Sequence, residues 1–482
     1  MGNPDASLPC CFEFDDPTST AVRIPQKPGD VEPVMQSAKT IAVVGAGISG
    51  LSAAWLLSRR YEVTLFEREP RLGGHSNTVD VARASGRTPV DTGFIVYNTQ
   101  SYPNLIALFD HLGVATARSD MSFAVSLDDG AYEYSGTGLG GLFGQPSNAL
   151  RPSHLGMLLE IRRFFRQAPE LLAGDPETSP TLAEYLKANR YSHAFVAHHI
   201  LPMAAAIWSA PAAAVMAFPA VTFVRFFANH GLLQIKNRPE WRTVVGGSRN
   251  YVSAILADFG GHVALGRSVA SVRRSSARVA LTDHAGRTEV FDACVVATHA
   301  DEALGLLADA DGQERTLLSA FAYQSNRAVL HTDPSAMPKR RRVWSSWNYS
   351  SGNAGENAAP TVTYWMNRLQ PLATKENVFV TLNPARPLAD GRVVATFDYA
   401  HPMFDQAAIS AQRQLWSLQG RQRTWFCGSY FGYGFHEDGL QSGLAVAEDI
   451  GGVRRPWTVA SESGRIHLGG MRASSTQYEA AE

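Results

Sequence analysis

Two short apolar runs flank a helical pattern near residue 50 and predict a strand, a helix and a second strand. Ile41 to Val44 is apolar without interruption, as in a strand buried on both faces. Ile48, Leu51, Trp55 and Leu56 recur at helical spacing, and Val63 to Phe66 is apolar again. Farther along, Ser122-Phe123-Ala124-Val125-Ser126 and Tyr132-Glu133-Tyr134 alternate. They predict paired strands around an Asp128-Asp129-Gly130 turn. Leu150 to Phe165 and Leu182 to Asn189 predict helices, while Thr361–Trp365 and Val393–Phe397 predict strands. No internal repeat is visible.

Between the first strand and the helix stand Gly45, Gly47 and Gly50. The first allows a tight turn, the second lets a pyrophosphate approach the backbone, and the third lets helix pack on strand. The second strand ends in Glu67, placed to accept hydrogen bonds from a ribose. Strand, glycines, helix, strand and acid in register predict a dinucleotide at a helix N-terminus, where free N–H groups and the dipole favour a diphosphate. The following Arg71-Leu72-Gly73-Gly74-His75 selects FAD over NAD, because a flavin dinucleotide runs past the first loop and needs a second close backbone approach. Gly136-Thr137-Gly138-Leu139-Gly140-Gly141 repeats the glycine spacing without a preceding buried strand or a ribose acid, and Pro146 and Pro152 follow it. It reads as a mobile loop, so no NAD(P)H site is expected and the substrate itself reduces the flavin.

These residues resemble the flavin-containing amine oxidase superfamily, which includes amine and polyamine oxidases, protoporphyrinogen oxidase and the phytoene desaturases. Val90-Asp91-Thr92-Gly93 is similar to its D-x-G segment beside the flavin ring. Gly246-Gly247-Ser248, His262–Val272 and Asp292–Thr298 look like the return to the FAD domain, with Val269 matching an adenine contact. Trp425–Tyr430 and Gly439–Gly443 resemble the closing strand and the helix that faces the flavin pyrimidine. The resemblance implies cofactor contacts at Gly45, Gly47, Ile48, Ser49, Gly50, Glu67, Arg68, Gly73, Gly74, His75, Gly93, Val269, Gly428, Ser429, Gly439 and Leu440. His75 stands where the family usually has Arg, and Ser429 where it often has an acid. The implied fold is α/β: a discontinuous Rossmann-like FAD-binding domain (38–82, 245–300 and 415–453) with an inserted α+β substrate domain (83–244 and 301–414). Residues 1–37 are expected to form a flexible arm and 456–482 a loose tail.

A chain of 482 residues suggests two or three domains. Forty-three basic and 44 acidic residues leave a net charge of −1, so no global field attracts nucleic acid. Cys10, Cys11, Cys294 and Cys427 show neither zinc spacing nor a disulfide framework, and no metal is expected. The residues before Thr40 lack an apolar signal core, and a reducing cytoplasm fits. Segment 191–224 contains no Asp, Glu, Lys or Arg, and Pro202, Pro211 and Pro219 break it. It reads as buried helices of the substrate domain, with a lipid tunnel or a peripheral membrane contact as the alternative. Arg225 and the run Lys339-Arg340-Arg341-Arg342 are candidate partners for an acidic head group, against a solvated loop for the run.

Amine oxidases of the superfamily place a lysine near the flavin, but this chain has none between Lys236 and Lys339. Arg327-Ala328-Val329-Leu330 carries arginine there instead. His436 and Glu437, at the start of the flavin-facing helix, are candidate acid/base groups, with helix capping as the plain alternative for Glu437 and Asp438. Tyr97 and Asn98 are candidates to orient a substrate, against ordinary packing. DTGFIVYN at 91–98, the uncharged segment and GYGFHEDGLQSG at 432–443 resemble a bacterial subgroup of predicted FAD-dependent dehydrogenases whose genes lie beside cyclopropane-fatty-acid-synthase-like methyltransferases. That resemblance implies an apolar, unsaturated or methylated acyl substrate that loses hydride from an allylic carbon. A diene results, or an isomer if the hydride returns elsewhere. An amine or polyamine oxidase and a non-catalytic flavin-binding module are the competing readings.

Overall fold

The apolar runs near the start of the chain form the centre of a five-stranded parallel sheet. Its order is His262–Leu265, Glu62–Glu67, Thr40–Val44, Ala293–Val296 and Thr424–Phe426. Ile41 pairs with Val63 on one side and with Ala293 on the other, so the central strand is covered along both edges and its side chains are buried on both faces. Residues 39–83, 86–174, 178–351 and 360–469 are described by the structure, a computed structural model. The expected N-terminal arm, Cys10, Cys11 and the tail from residue 470 lie outside the described residues. Cys294 and Cys427 are buried free thiols.

The first helix (Ile48–Leu57) is buried over its whole length because the last helix (His436–Ile450) lies against it. A Cβ on Gly443 would stand 2.2 Å from the Ser49 carbonyl oxygen, a contact that only glycine permits. A three-stranded antiparallel meander (Val269–Arg274, Val279–Asp283, Thr288–Phe291) is inserted between two strands of the parallel sheet. The remaining large element is a seven-stranded mixed sheet in the order Val393–Pro402, Tyr323–His331, Phe379–Leu382, Thr361–Trp365, Trp347–Ser350, Phe123–Leu127, Tyr132–Ser135.

Several expectations need correction. The strand predicted to end at Phe397 continues to Pro402, because its full length pairs with Tyr323–His331. The glycine-rich stretch after Ser135, read as a mobile loop, forms a short helix at Gly138–Leu142. Residues 456–469, assigned to a loose tail, pack on the body. Trp457 stacks on Trp55 at 5.9 Å, Ile466 is buried, and Arg465 forms a buried ion pair with Asp438 at 2.8 Å. The basic run keeps local partners at the surface: Lys339 pairs with Asp129 at 2.8 Å, Arg340 with the buried Glu133 at 2.9 Å, and Arg341 lies over Trp344. Lys339, Arg341 and Arg342 remain exposed, as expected of a solvated loop, and only Arg340 is partly buried.

The Arg465–Asp438 pair yields a stability test. Removing one partner of a buried pair strands the other charge, at a cost of about 3–5 kcal/mol. Arg465→Met is therefore expected to lower the unfolding free energy by about 3 kcal/mol or more in a urea titration. A loose tail would leave the titration unchanged.

Candidate functional site: a cavity at the strand ends

All five strands of the parallel sheet point the same way, so the loops after them converge on one edge, where α/β sheets bind ligands. Gly45–Ser49 follows the central strand, Arg68–Arg71 follows Glu67, and Arg267–Val269 follows Leu265. Ala297–His299 and Gly428-Ser429 follow the other two. Residues from every one of these loops line a single cavity of about 1530 Å³. Gly73, Gly74, His75 and Gly93 complete this half of it.

The first glycine turn has the geometry of a diphosphate cradle. Gly45 adopts φ +100°, and a Cβ on Gly50 would stand 1.8 Å from the Gly45 carbonyl oxygen. At Gly47 an added Cβ would meet nothing within 4 Å, so the backbone is open to the cavity. The first helix starts there without a side-chain cap, leaving its first-turn N–H groups to a ligand. Glu67 is held in place, its carboxylate accepting from the Ala46 amide at 2.8 Å and the Glu69 amide at 2.9 Å. Arg68 pairs with Glu302 at 2.8 Å. Arg71 donates to the Gly74 carbonyl at 2.8 Å and has no carboxylate partner among the described residues. The Nε2 of His75 is buried on the cavity wall without a partner. An open loop, an uncapped helix start, an unpaired guanidinium and an orphaned imidazole fit a bound FAD.

Gly50, Gly439 and Leu440, expected as cofactor contacts, are absent from the lining. Gly50 and Gly439 serve helix packing: a Cβ on Gly439 would stand 2.8 Å from Ser49 Oγ, and Leu440 is fully buried. Two expected catalytic residues also lie elsewhere. Glu437 accepts from the Asn104 and Leu105 amides at 3.0 Å, and from Asn104 Nδ2 and Gln441 Nε2 at 2.9 Å. Those bonds satisfy the start of the Pro103–His111 helix, so its carboxylate is a structural cap. Tyr97 packs against Tyr102 and Phe109 in the core, and Asn98 closes a turn onto the Ser101 amide. Asp438 accepts from the Phe435 amide at 2.7 Å and caps its own helix.

His436 does face the cavity. Its ring stacks on Phe94 at 3.7 Å, and its Nε2 lies 2.9 Å from Ser76 Oγ and 3.0 Å from the Tyr251 hydroxyl. The strand Val393–Pro402 adds Tyr399 and His401, two residues apart and therefore on one face. His75 stacks on Tyr399 at 4.9 Å and lies 5.4 Å from His401, while His299 stacks on Tyr323 at 4.5 Å. Asn326 Nδ2 donates to His401 Nδ1 at 3.1 Å, which leaves the His401 proton on Nε2. Tyr399 and His401 escaped the sequence reading because the strand was ended too early, although their alternation with Phe397 was a usable signal.

Beyond the cofactor half, the cavity continues along the uncharged segment. Met203, Ala206, Ile207 and Trp208 of the helix Leu201–Trp208 line it, with Phe226 of the helix Ala220–Asn229. This segment is thus an interior wall; Arg225, its expected head-group ligand, is absent from the lining and donates to the Leu172 carbonyl. No helix among the described residues is long and apolar enough to cross a membrane. No lysine among the described residues lines the cavity; Lys339 is exposed on Asp129.

Burial keeps the cavity histidines neutral. It pushes His401 and His199 down to about 4, and His230 and His436 down to about 3. His75 is also well below the usual imidazole range, with burial the largest cause. The unfolded chain binds protons at these sites near pH 6.5, so folding stability is full above that value and falls as pH drops toward 4. Asp91 acts in the opposite sense. Its carboxyl is raised to about 6 by burial, a contribution present below its unfolded value and lost as pH rises through 6. Several histidines outweigh one carboxyl. Melting temperature is expected to hold between pH 8 and 7 and to fall steeply below about 6, with each histidine adding about 1.4 kcal/mol per pH unit. A profile flat to pH 5 would contradict neutral burial.

The sequence pattern of the flavin containing amine oxidoreductases matches residues 48–451. AofH of Mycobacterium tuberculosis, which bears the name of a flavin-containing monoamine oxidase, is 28% identical over 267 residues, covering 52% of this chain and 54% of AofH. The chain thus spans about half the length of that curated relative. Among solved structures, a redesigned putrescine oxidase superposes with a TM-score of 0.61 at 16% identity, covering 86% of this chain and 99% of that one. A CLA-producing fatty acid isomerase from P. acnes superposes with a TM-score of 0.59 at 15% identity, covering 86% and 97%. The fold is that of these FAD-dependent enzymes. The chain belongs to the flavin-containing amine oxidoreductase family, whose cofactor is FAD.

Proposed function

We propose that this protein is an FAD-dependent oxidoreductase that removes hydride from an apolar acyl chain, unsaturated or methylated, and so desaturates it or shifts its double bond. One observation carries the reading: a single cavity runs from the glycine cradle onto an apolar wall, its histidines are held neutral, and no lysine among the described residues lines it. FAD, when bound, supplies a two-electron acceptor for the hydride. Met203, Ile207 and Trp208 hold the chain and keep water out. His436 offers a neutral imidazole backed by two hydroxyls, which can take a proton from a carbon next to the hydride site. Loss of both hydride and proton gives the diene; an isomer results only when the hydride returns to the chain at another carbon and the proton held by His436 goes back with it. The fold shared with a fatty acid isomerase supports the same reading.

Arg238 lines the cavity and also a side pocket of about 340 Å³ shared with Met121, His230, Leu232 and Trp241. Its Nε donates to the Gln234 carbonyl at 2.7 Å, and it has no carboxylate partner among the described residues. An oxyanion head group is the ligand suited to it. Arg238→Gln is expected to raise the KM for an unsaturated fatty acid by about 10-fold or more, in line with a lost charged hydrogen bond, and to leave the methyl ester unaffected. Equal effects on acid and ester would remove this role.

Anaerobic mixing of the FAD-loaded protein with unsaturated or methylated fatty acids is expected to bleach the flavin absorbance or to yield shifted double bonds by gas chromatography. Putrescine and aliphatic monoamines are expected to do neither. Bleaching by amines, with hydrogen peroxide on readmission of air, would establish the amine oxidase reading. No bleaching and no product with either class would leave a flavin-binding module.

A further inference from the structure

Four large apolar side chains stand in solvent within 21 residues of one another. Leu139 is 76% exposed, Leu150 86%, Leu155 42% and Leu159 70%. Leu155 and Leu159 are one turn apart on the helix Pro152–Gln167, and Arg162 and Arg166 continue toward its C-terminal end with their side chains exposed. Leu139 belongs to the short helix Gly138–Leu142, which meets the long helix through Phe143 and His154, 5.7 Å between ring centres. That short helix also contacts the segment Arg341–Val343, so the exposed Arg341 and Arg342 adjoin it. Arg162, Arg166 and Arg342 form no ion pair among the described residues.

We propose that this face docks on an anionic lipid bilayer. Exposed leucines enter the interfacial region, and the surrounding arginines meet acidic head groups, the composition of a helix lying in the interfacial plane. Charge complementarity selects a bilayer over an acid-poor protein surface: the leucines are rimmed by arginine, and Glu160, the nearest acid on the helix, is occupied by Arg163 and Ser192. Position supports it too. Phe165 on the same helix, and Gly136 and Thr137 just before Leu139, line the large cavity, so a docked face lies beside the route an acyl chain would take. The inference rests on the acyl-chain reading for its purpose, but its test needs no turnover.

Co-sedimentation of the FAD-loaded full chain with vesicles of phosphatidylglycerol and phosphatidylcholine, against phosphatidylcholine alone, decides the matter. Binding is expected on the anionic vesicles, weakening as salt rises. The double variant Leu150→Asp/Leu159→Asp should bind them about tenfold or more weaker, with unchanged melting temperature and unchanged turnover of detergent-dispersed acyl substrate. Equal binding to both vesicle types, or an unaffected double variant, overturns the proposal. So does a double variant that only abolishes self-association in gel filtration, which would assign the face to a second copy. Vesicle binding without turnover of any acyl chain would sink the proposed function and leave the docking surface standing.

Discussion

Parallel alignment of five strands is the constraint on which the rest of the molecule depends. It sends five loops, separated by up to several hundred residues in the chain, to one sheet edge, and those loops make the cofactor half of the cavity. Beside the sheet the first and last helices lie in close contact. Gly439 and Gly443 make that contact, since side chains there would overlap atoms of the first helix, while Gly50 lets that helix close on the Gly45 carbonyl and Ala297. These residues sit under the site rather than in it, and they fix how far the glycine turn stands from the rest of the wall.

A second junction joins the two halves of the cavity. Asp91, fully buried, accepts from the Ser248 amide and hydroxyl, from Thr78 Oγ1 at 2.6 Å and from Gln370 Nε2 at 2.7 Å. One carboxylate thereby ties the strand pair Thr78–Arg83 and Gly86–Asp91, the turn at 246–248 and the end of the short helix Met366–Leu369. Gly93 and Phe94 follow immediately and set His75 and His436 on the cavity wall: the Phe94 amide donates to the His75 carbonyl at 2.8 Å, and its ring carries His436. Burial opposes ionisation of Asp91, and four donor groups offset part of that cost.

The acids beside His436 illustrate how packing redistributes roles. Glu437 and Asp438 share a position at a helix start that suits either catalysis or capping. Both carboxylates turn away from the cavity, one to the Pro103–His111 helix and the other to Arg465 and the Phe435 amide. The pairing with Arg465 depends on residues 456–469, whose composition resembles a solvated tail. Trp457, Arg465 and Ile466 are the exceptions, and each is used.

The order of local elements around Gly45–Glu67 was legible in the chain because it depends on short-range rules: an apolar run, glycines at a turn, helical spacing and an acid at a strand end. The same rules marked the uncharged stretch 191–224 as interior. They could not say that one side of it lines a cavity, since that depends on which strands and helices lie opposite. Nor could they separate His436 from Glu437, which are adjacent in sequence but point to different neighbours. The sequence by itself determined the cofactor turn and the elements that build it, through local backbone geometry. Tertiary structure decided which polar groups face the cavity, because a buried carboxylate or imidazole takes its role from donors and rings that distant segments bring to it.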